Sequence, residues 1–314
     1  MSDKAEDLFY RIIKAVLLWA SFIPRQLLSF SARPLGGIWY AADRRHREIA
    51  FNNIKRAYGA EIDYAQCRQL VKANFIQLSR VALELPSLLR VNKKNILSYV
   101  EFSGWENMFV ALKRRKGVFL FTAHLGNWEL MALAGPLMLD LPFHILVRPI
   151  DFKPMNRLME EIRSRTGNII LDKDKSVGSI LDLLSKNRIV GILLDQNSSW
   201  FEGVYVPFFG RTACTNKGLA MFALRYDVTV LPVFNIRQKN GRYRIIVEPP
   251  VSLIRTGDFK NDIVENTALF NRIIEKYVRM APDNWAWVHR RWRIKPVPKR
   301  ARKKILGNVD LTFT

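Results

Sequence analysis

The residues best suited to chemistry lie in one short run, Phe121-Thr-Ala-His124-Leu-Gly-Asn127-Trp-Glu129-Leu130, directly after the apolar stretch Gly117-Val-Phe-Leu-Phe121. The apolar stretch predicts a buried strand and the residues after Asn127 predict a helix. His124 therefore falls at a strand's end, where α/β sheets usually carry their chemistry. Five steps of about 100° each keep His124 and Glu129 off a common face of any straight helix. They meet only if His124 stands outside the helix and turns back over its first turn. Gly126 permits that bend, and Asn127 is a suitable N-cap. A carboxylate held against an imidazole fixes its tautomer and stabilises the imidazolium, giving a general base near neutral pH. The same spacing also fits a capping histidine followed by a glutamate that complements the helix dipole. H-x4-E alone leaves a His-Glu dyad and this plainer arrangement both open.

The elements that must position these residues follow from periodicity. Residues 117–122, 143–147, 189–194, 228–234 and 243–247 read as strands, and helical patterns intervene at 127–139, 152–165, 174–186 and 215–226, with 261–280 as a closing helix. Such alternation predicts an α/β fold, a mixed sheet flanked by helices. Residues 42–58 and 63–92 read as a helical extension before it. Residues 197–211 read as a loop, and Thr215 as the N-cap of the next helix. Trp285, Trp287 and Trp292, interleaved with His289, Arg290, Arg291 and Arg293, suggest a basic aromatic ridge, or cation–π packing at a surface.

Charge is the second strong feature. The 314 residues carry 50 Lys and Arg against 28 Asp and Glu, a formal charge of +22, which calls for an anionic partner: nucleic acid, anionic lipid or an acidic protein. Nine of the cations lie between Arg290 and Lys304, with no acid among them. The N-terminus helps to choose. From Phe9 to Phe30 the chain is mostly apolar, yet Arg11, Lys14, Ser21 and Arg25 share one side of a helical wheel. The uncharged stretch Ala15 to Pro24 is about half the length needed to cross a bilayer, and Pro24 should bend or end the helix. An amphipathic segment lying in the membrane interface is expected, with Trp19 and Trp39 at headgroup depth. A single tilted spanning helix is the rival. Only Cys67 and Cys214 occur, far apart and without metal-ligand spacing, which fits a reduced, cytoplasm-facing protein, and no metal site is expected.

His124-Leu-Gly-Asn-Trp-Glu129 resembles the H-x4-D/E block of glycerolipid-type acyltransferases, and its context is similar to the bacterial late acyltransferases of lipid A biosynthesis, the lauroyl/myristoyl transferase family. Further blocks stand in that family's order: Leu146-Val-Arg148-Pro149 with Glu161-Ile-Arg163-Ser-Arg165-Thr-Gly167; Leu194-Asp195-Gln196-Asn197; Val206-Pro-Phe-Phe-Gly210-Arg211-Thr-Ala; and Trp285-Ala-Trp-Val-His289-Arg290-Arg291-Trp292. The resemblance covers roughly residues 5–295. It departs from the family's pattern in Asp195-Gln196-Asn197, where the best-known members carry an Asp-His-Asp-like run, and in a longer basic tail.

The resemblance implies a glycerolipid-acyltransferase-like fold: a membrane-associated N-terminal helix over 1–35, an acyltransferase domain over 36–295 and a basic tail over 296–314. It implies transfer of a fatty acyl group from acyl carrier protein to a hydroxyl of a Kdo-bearing lipid A precursor, at the cytoplasmic face of the inner membrane and without a cofactor. His124 would be the general base and Glu129 its orienting carboxylate, with no covalent acyl-enzyme. Arg163, and less directly Arg148, Arg165 and Arg211, would support the transition state or hold phosphate. Asp195 would anchor Arg163 or shape the site, and Asn127 would cap the helix whose first N–H groups face the developing oxyanion. Aromatic residues of 197–211 would line an acyl-chain tunnel, and the tryptophan ridge would hold a headgroup. Two other readings remain: a superfamily acyltransferase acting on another glycolipid or phospholipid, and a basic nucleic-acid-binding protein, for which no helix-turn-helix, zinc-finger or RNP-like signature is found.

Overall fold

The computed structural model describes residues 2–172 and 177–293; most of the basic tail, including all of 296–314, lies outside them. The chain opens with four helices, α1 (Asp3–Ala20), α2 (Arg25–Ala42), α3 (Arg44–Tyr58) and α4 (Tyr64–Leu88). Pro24 breaks the first pair as expected, and α1 and α2 meet at 114°. The break makes two helices of the segment read as one, and the second runs past residue 35 to Ala42. α4 starts on a capping box in which Asp63 and Gln66 bond each other's backbone N–H groups. α2 lies so close on α4 that a Cβ on Gly36 would stand 2.5 Å from the Ile76 Cα.

The sheet follows. After a short helix, α5 (Ile96–Tyr99), come β1 (Val100–Ser103), α6 (Glu106–Lys113), β2 (Val118–Thr122), α7 (Trp128–Leu139), β3 (Phe143–Val147), α8 (Lys153–Ser164), β4 (Ile169–Asp172), α9 (Val177–Ser185) and β5 (Ile189–Leu193). The chain continues through β6 (Gly203–Phe208), β7 (Arg211–Asn216), α10 (Gly218–Tyr226), β8 (Thr229–Arg237), β9 (Tyr243–Val247) and α11 (Phe259–Met280). Seven strands form one mixed sheet in the order β1-β9-β8-β2-β5-β3-β4. Every neighbouring pair is parallel except β8 with β9.

Both faces of the sheet are buried, which is why β2, β5 and β8 read as unbroken apolar runs. Along β2, Phe119 and Phe121 point into one core with Phe234, Phe270 and Trp285, while Val118 and Leu120 point into the other with Leu133, Leu158 and Leu231. The five expected strands are all present with boundaries shifted by at most three residues, and β1 and β4 add edge strands that were not expected.

Two expectations are corrected. Residues 203–216 of the expected loop and helix start form an antiparallel hairpin, β6–β7. Thr215 is a buried strand residue rather than an N-cap, and its hydroxyl bonds Asn271 and Arg291.

α1 turns Tyr10, Ile13, Lys14 and Leu17 towards the protein and leaves most of its large apolar residues, with Arg11, facing out. Tyr10 Oη and Lys14 Nζ both donate to the Glu161 carboxylate on α8, at 2.5 and 2.7 Å. Phe9, Val16, Trp19, Phe22, Leu27 and Phe30 are exposed, Trp19 by 73% and Phe30 by 80%. Among the described residues no single helix is long and apolar enough to cross a membrane; the bent pair passes that test only when taken together.

The Gly36 contact sets a first prediction. Gly36→Val should wedge α2 off α4 and cost about 1–3 kcal/mol, read as a lower denaturant midpoint, whereas Gly37→Val, whose Cβ would meet nothing within 4 Å, should lose clearly less.

Candidate active site

β2 and β5 are adjacent and parallel, and their last paired residues are Thr122 and Leu193. Two residues beyond each strand, His124 and Asp195 emerge side by side. The imidazole Nδ1 lies 2.8 Å from Asp195 Oδ1, and the His124 backbone N–H donates to Oδ2 at 3.0 Å. Oδ2 also accepts from Trp285 Nε1 at 2.7 Å. Asp195 is wholly buried, and a buried carboxylate with three donors is held in its charged form. Burial opposes that charge, but the His124 ring and its N–H outweigh burial, and the Asp195 carboxyl lies well below the usual carboxylate range. Burial likewise pushes the His124 imidazolium down; the Asp195 charge and hydrogen bond prevail and raise it above the ordinary histidine value.

The strand-to-helix turn is set by its own sequence. Gly126 has φ +62°, and a Cβ there would stand 2.2 Å from the Asn235 carbonyl oxygen, so only glycine fits. Asn127 is the N-cap: its Oδ1 accepts from the Leu130 N–H at 3.0 Å, its Nδ2 donates to Glu84 at 2.9 Å, and its carbonyl accepts from Asn235 Nδ2. The bend expected at Gly126 and the cap expected at Asn127 are therefore both present.

The carboxylate partner of the imidazole is not Glu129. Glu129 turns to Arg163 in a two-pronged ion pair, Nε–Oε2 at 2.8 Å and Nη2–Oε1 at 2.6 Å, and Oε1 also accepts from Trp128 Nε1 at 3.2 Å. Asp195 correspondingly anchors His124, not Arg163. Glu129 acts on the ring only through its charge, which favours the imidazolium. The reason is topological: the bonded partner comes from the neighbouring strand, 71 residues downstream, while Glu129 points towards α8.

With Nδ1 engaged by Asp195, Nε2 carries the lone pair and faces a cleft of about 750 Å³, where the Gln196 amide nitrogen lies 3.4 Å away. Trp128 stands edge-on to the ring at 5.1 Å. Arg163 and Arg148 line the cleft, Arg148 on its exposed lip beside Asp151 at 3.6 Å. Arg165 is exposed outside the residues that line this cleft. Arg211 is exposed on the β6–β7 hairpin, where its Nε donates to the Arg56 carbonyl. His46 and His144 stand elsewhere. His289 is half-buried, edge-on to Trp285 at 4.9 Å, and burial, with the charges of His124 and Arg291, pushes it to about pKa 4 against the pull of Asp195.

The tryptophan ridge is core, not surface. Trp285 and Trp287 are wholly buried, and Arg291 is buried with its guanidinium on the Cys214 carbonyl, the Thr215 hydroxyl and the Phe208 ring. Phe208 and Phe209 pack in the same cluster; of the expected tunnel aromatics, Phe201 lines the cleft. Sequence reasoning missed the apolar cavity beside the cleft. Leu120, Met131, Phe143, Ile145, Val233 and Ile245 contribute walls, and Trp128, Ile192 and Leu193 belong to both spaces. It named Trp285 and Gln196 but missed their places, Trp285 as a donor to Asp195 and Gln196 beside Nε2 of His124. Among the described residues no group of His, Cys, Asp and Glu is arranged to hold a metal ion.

An imidazole clamped by a buried carboxylate at the end of a central strand, and open to a cleft through its other nitrogen, has the geometry that acid–base catalysis in α/β enzymes uses. The comparisons make the class specific. A family model described as bacterial lipid A biosynthesis acyltransferase matches residues 6–294, and the chain belongs to that family. It is similar to the lipid A biosynthesis lauroyltransferase of Escherichia coli K12, at 25% identity over 82% of this chain and 83% of the relative. It is similar also to the palmitoleoyltransferase of the same strain, at 22% over 89% of each. A lipid A biosynthesis acyltransferase of Haemophilus influenzae is 23% identical over 87% of this chain and 83% of the relative. The protein is an acyltransferase.

The clamp carries a pH prediction. A base must be unprotonated to act, so the acid limb of kcat/KM should follow the raised apparent pKa of the His124–Asp195 pair. In Asp195→Asn burial of the ring is no longer opposed by the carboxylate, so the limb should move to lower pH while the plateau falls by about 10²-fold or more. A limb that stays in place, or moves up, counts against the clamp.

Proposed function

We propose that this protein transfers a fatty acyl group from the thioester of acyl carrier protein to a hydroxyl of a lipid A precursor of the Kdo-bearing kind, working at the cytoplasmic face of the inner membrane. The observation that carries the reading is His124 Nε2, free of the carboxylate and aimed into the cleft while Asp195 holds Nδ1. The family match and the lauroyl- and palmitoleoyltransferase relatives support the substrate class.

In this mechanism the acceptor hydroxyl takes the place of the Gln196 amide beside Nε2 and gives up its proton to that nitrogen. Its oxygen attacks the thioester carbonyl. Asp195 stabilises the resulting imidazolium, as in other carboxylate–histidine pairs. As the tetrahedral intermediate collapses, the carbon–sulfur bond breaks and the leaving thiolate takes the proton from Nε2. Its thiol has a pKa of about 8.5, so it departs more readily than an alkoxide. The helix start at Asn127 supplies N–H groups for the oxyanion. Glu129 has a different task from the one its spacing suggested: it holds Arg163 on the cleft wall, where the guanidinium faces anionic parts of either substrate, and it adds negative potential behind the ring. Arg148 adds a second cation at the lip. The exposed apolar side of α1 and α2 supports contact with a bilayer.

The acyl chain belongs in the cavity beneath Trp128, which opens beside the base and is walled by apolar side chains. Gly191 lies on its floor, paired across the sheet with Leu120 and Ile145, and a Cβ there would meet only the His144 carbonyl, at 4.0 Å. Gly191→Leu should therefore be accommodated and fill the space, shortening the preferred acyl chain by a few carbons in product mass spectrometry. Unchanged chain preference at an unchanged rate places the chain elsewhere.

The class is tested with purified protein, acyl carrier proteins bearing different chains and a panel of lipid acceptors. Acyl transfer to the lipid A precursor is expected, with His124→Ala reduced by about 10²-fold or more. Activity on other glycolipids but not on this precursor would reassign the acceptor. An active His124→Ala, or label trapped covalently on the protein during turnover, would overturn the direct-transfer mechanism.

A further inference from the structure

A second groove lies across β2 from the cleft. The cleft is lined mainly by residues at and beyond the ends of β2, β3 and β5, whereas this groove is built mainly from the β8–β9 hairpin, the first half of α2 and α4, and it shares no lining residue with the cleft. Its volume is about 500 Å³, and six cations line it: Arg25, Arg33, Arg80, Arg237, Lys239 and Arg242. No carboxylate is among the described residues that line it. Behind it, Glu84 is buried and approaches Arg25 at 3.4 Å, but it already accepts from Asn127 Nδ2 and Tyr243 Oη, and Asp283 acts on Arg80 through its charge.

The guanidinium groups are held mainly by neutral acceptors. Arg25 donates to the Gly241 carbonyl at 2.7 Å, Arg237 to Ser29 Oγ at 2.8 Å, and Arg242 to the Leu97 and Val100 carbonyls, both at 2.9 Å. Such contacts fix position without cancelling charge. The Nε atoms of Arg80, Arg237 and Arg242 are buried and have no hydrogen-bond partner among the described residues. Burial, with the like charges of Arg237 and Arg33, disfavours the Arg80 cation and outweighs the opposite charge of Asp283. Clustered, prepositioned arginines match a phosphate, which offers oxygens to several guanidinium groups at once.

The surroundings select the source of that phosphate. Phe30 lines the groove and is 80% exposed, and Phe22 and Leu27 stand exposed nearby in sequence. An anion seated among the arginines thus has an apolar surface beside it for its own apolar part. A water-soluble acidic partner would leave that surface uncovered.

We propose that this groove binds the phosphate headgroup of a bilayer phospholipid, separately from the acceptor at His124, and so fixes how the enzyme sits on the membrane. The proposal uses the membrane contact in the functional reading but not the catalytic assignment.

The test is equilibrium binding of fluorescent phosphatidic acid or phosphatidylcholine, in neutral detergent micelles, to the full chain. Wild type and His124→Ala should bind phosphatidic acid equally and about tenfold or more tighter than phosphatidylcholine. The double variant Arg33→Glu/Lys239→Glu should lose about tenfold or more of that affinity, and the milder Arg33→Gln/Lys239→Gln an intermediate amount. Lys113→Glu/Lys116→Glu makes the same charge change before β2, at the opposite end of the parallel strands, and should change affinity by less than about twofold. Equal losses in the two Glu doubles would overturn the proposal in favour of diffuse attraction. So would inorganic phosphate binding as tightly as the lipid, or a groove double that keeps phosphatidic acid while losing the lipid A precursor or acyl carrier protein. Loss of acyl transfer in His124→Ala with phospholipid binding intact separates the two sites.

Discussion

The carboxylate of Asp195 is the constraint on which the site depends. A charge buried this completely is tolerated only when its oxygens are matched by donors, and the clamp joins three separate parts of the chain. Two donors, the ring and backbone N–H of His124, follow β2, Asp195 itself follows β5, and the third donor, Trp285, belongs to the segment after α11. One side chain therefore closes the C-terminal edge of the sheet over the apolar core and sets the tautomer of the ring. Removing any one donor would leave the others with a less compensated charge, so the three are expected to act as a unit rather than additively.

A second set of buried polar groups couples this turn to the N-terminal helices. Glu84 on α4 accepts from Asn127, the cap of the helix that follows His124, and from Tyr243 on β9, and it approaches Arg25 at the start of α2. Asn235 on β8 holds the Asn127 carbonyl from the other side. The helical extension is thus bonded into the strand-to-helix turn rather than merely appended to the sheet. Gly126 makes this possible, because the close approach of Asn235 leaves no room for a side chain.

Much of the scaffold was legible because its signals are local. The apolar runs of β2, β5 and β8, the glycine before Asn127 and the proline at 24 each act within a few residues, and each produced the expected element, bend or break. The wiring of the site was not legible in the same way. H-x4-E places Glu129 near His124 in sequence, but which carboxylate the ring meets depends on β5 lying beside β2, and strand order is not written in any local pattern. Asp195 did carry a usable signal, an acid just beyond the end of an apolar strand. The hairpin at 203–216 and the buried tryptophans were misread for a related reason. Trp285, Trp287 and Arg291 look amphipathic among arginines, yet each has a specific internal acceptor, Asp195, the Pro282 carbonyl and the Cys214 carbonyl, that draws its polar atom inward. Satisfied hydrogen bonds, not composition, decided their burial.

The orientation of α1 and α2 bears on how such an enzyme meets its substrates. In a water-soluble domain a surface helix buries its apolar stripe and solvates its charges. Here Lys14 and Tyr10 are spent on Glu161, Arg25 on Gly241 and Glu84, and the phenylalanines and tryptophan are left outside. Inverting the stripe loses hydrophobic stabilisation in water and recovers it only against another apolar phase. On the proposed reading, that phase is the bilayer from which the acceptor is drawn. The base then needs only an opening beside an apolar cavity, so that a thioester arrives with its chain already sheltered and the hydroxyl meets it from the membrane side.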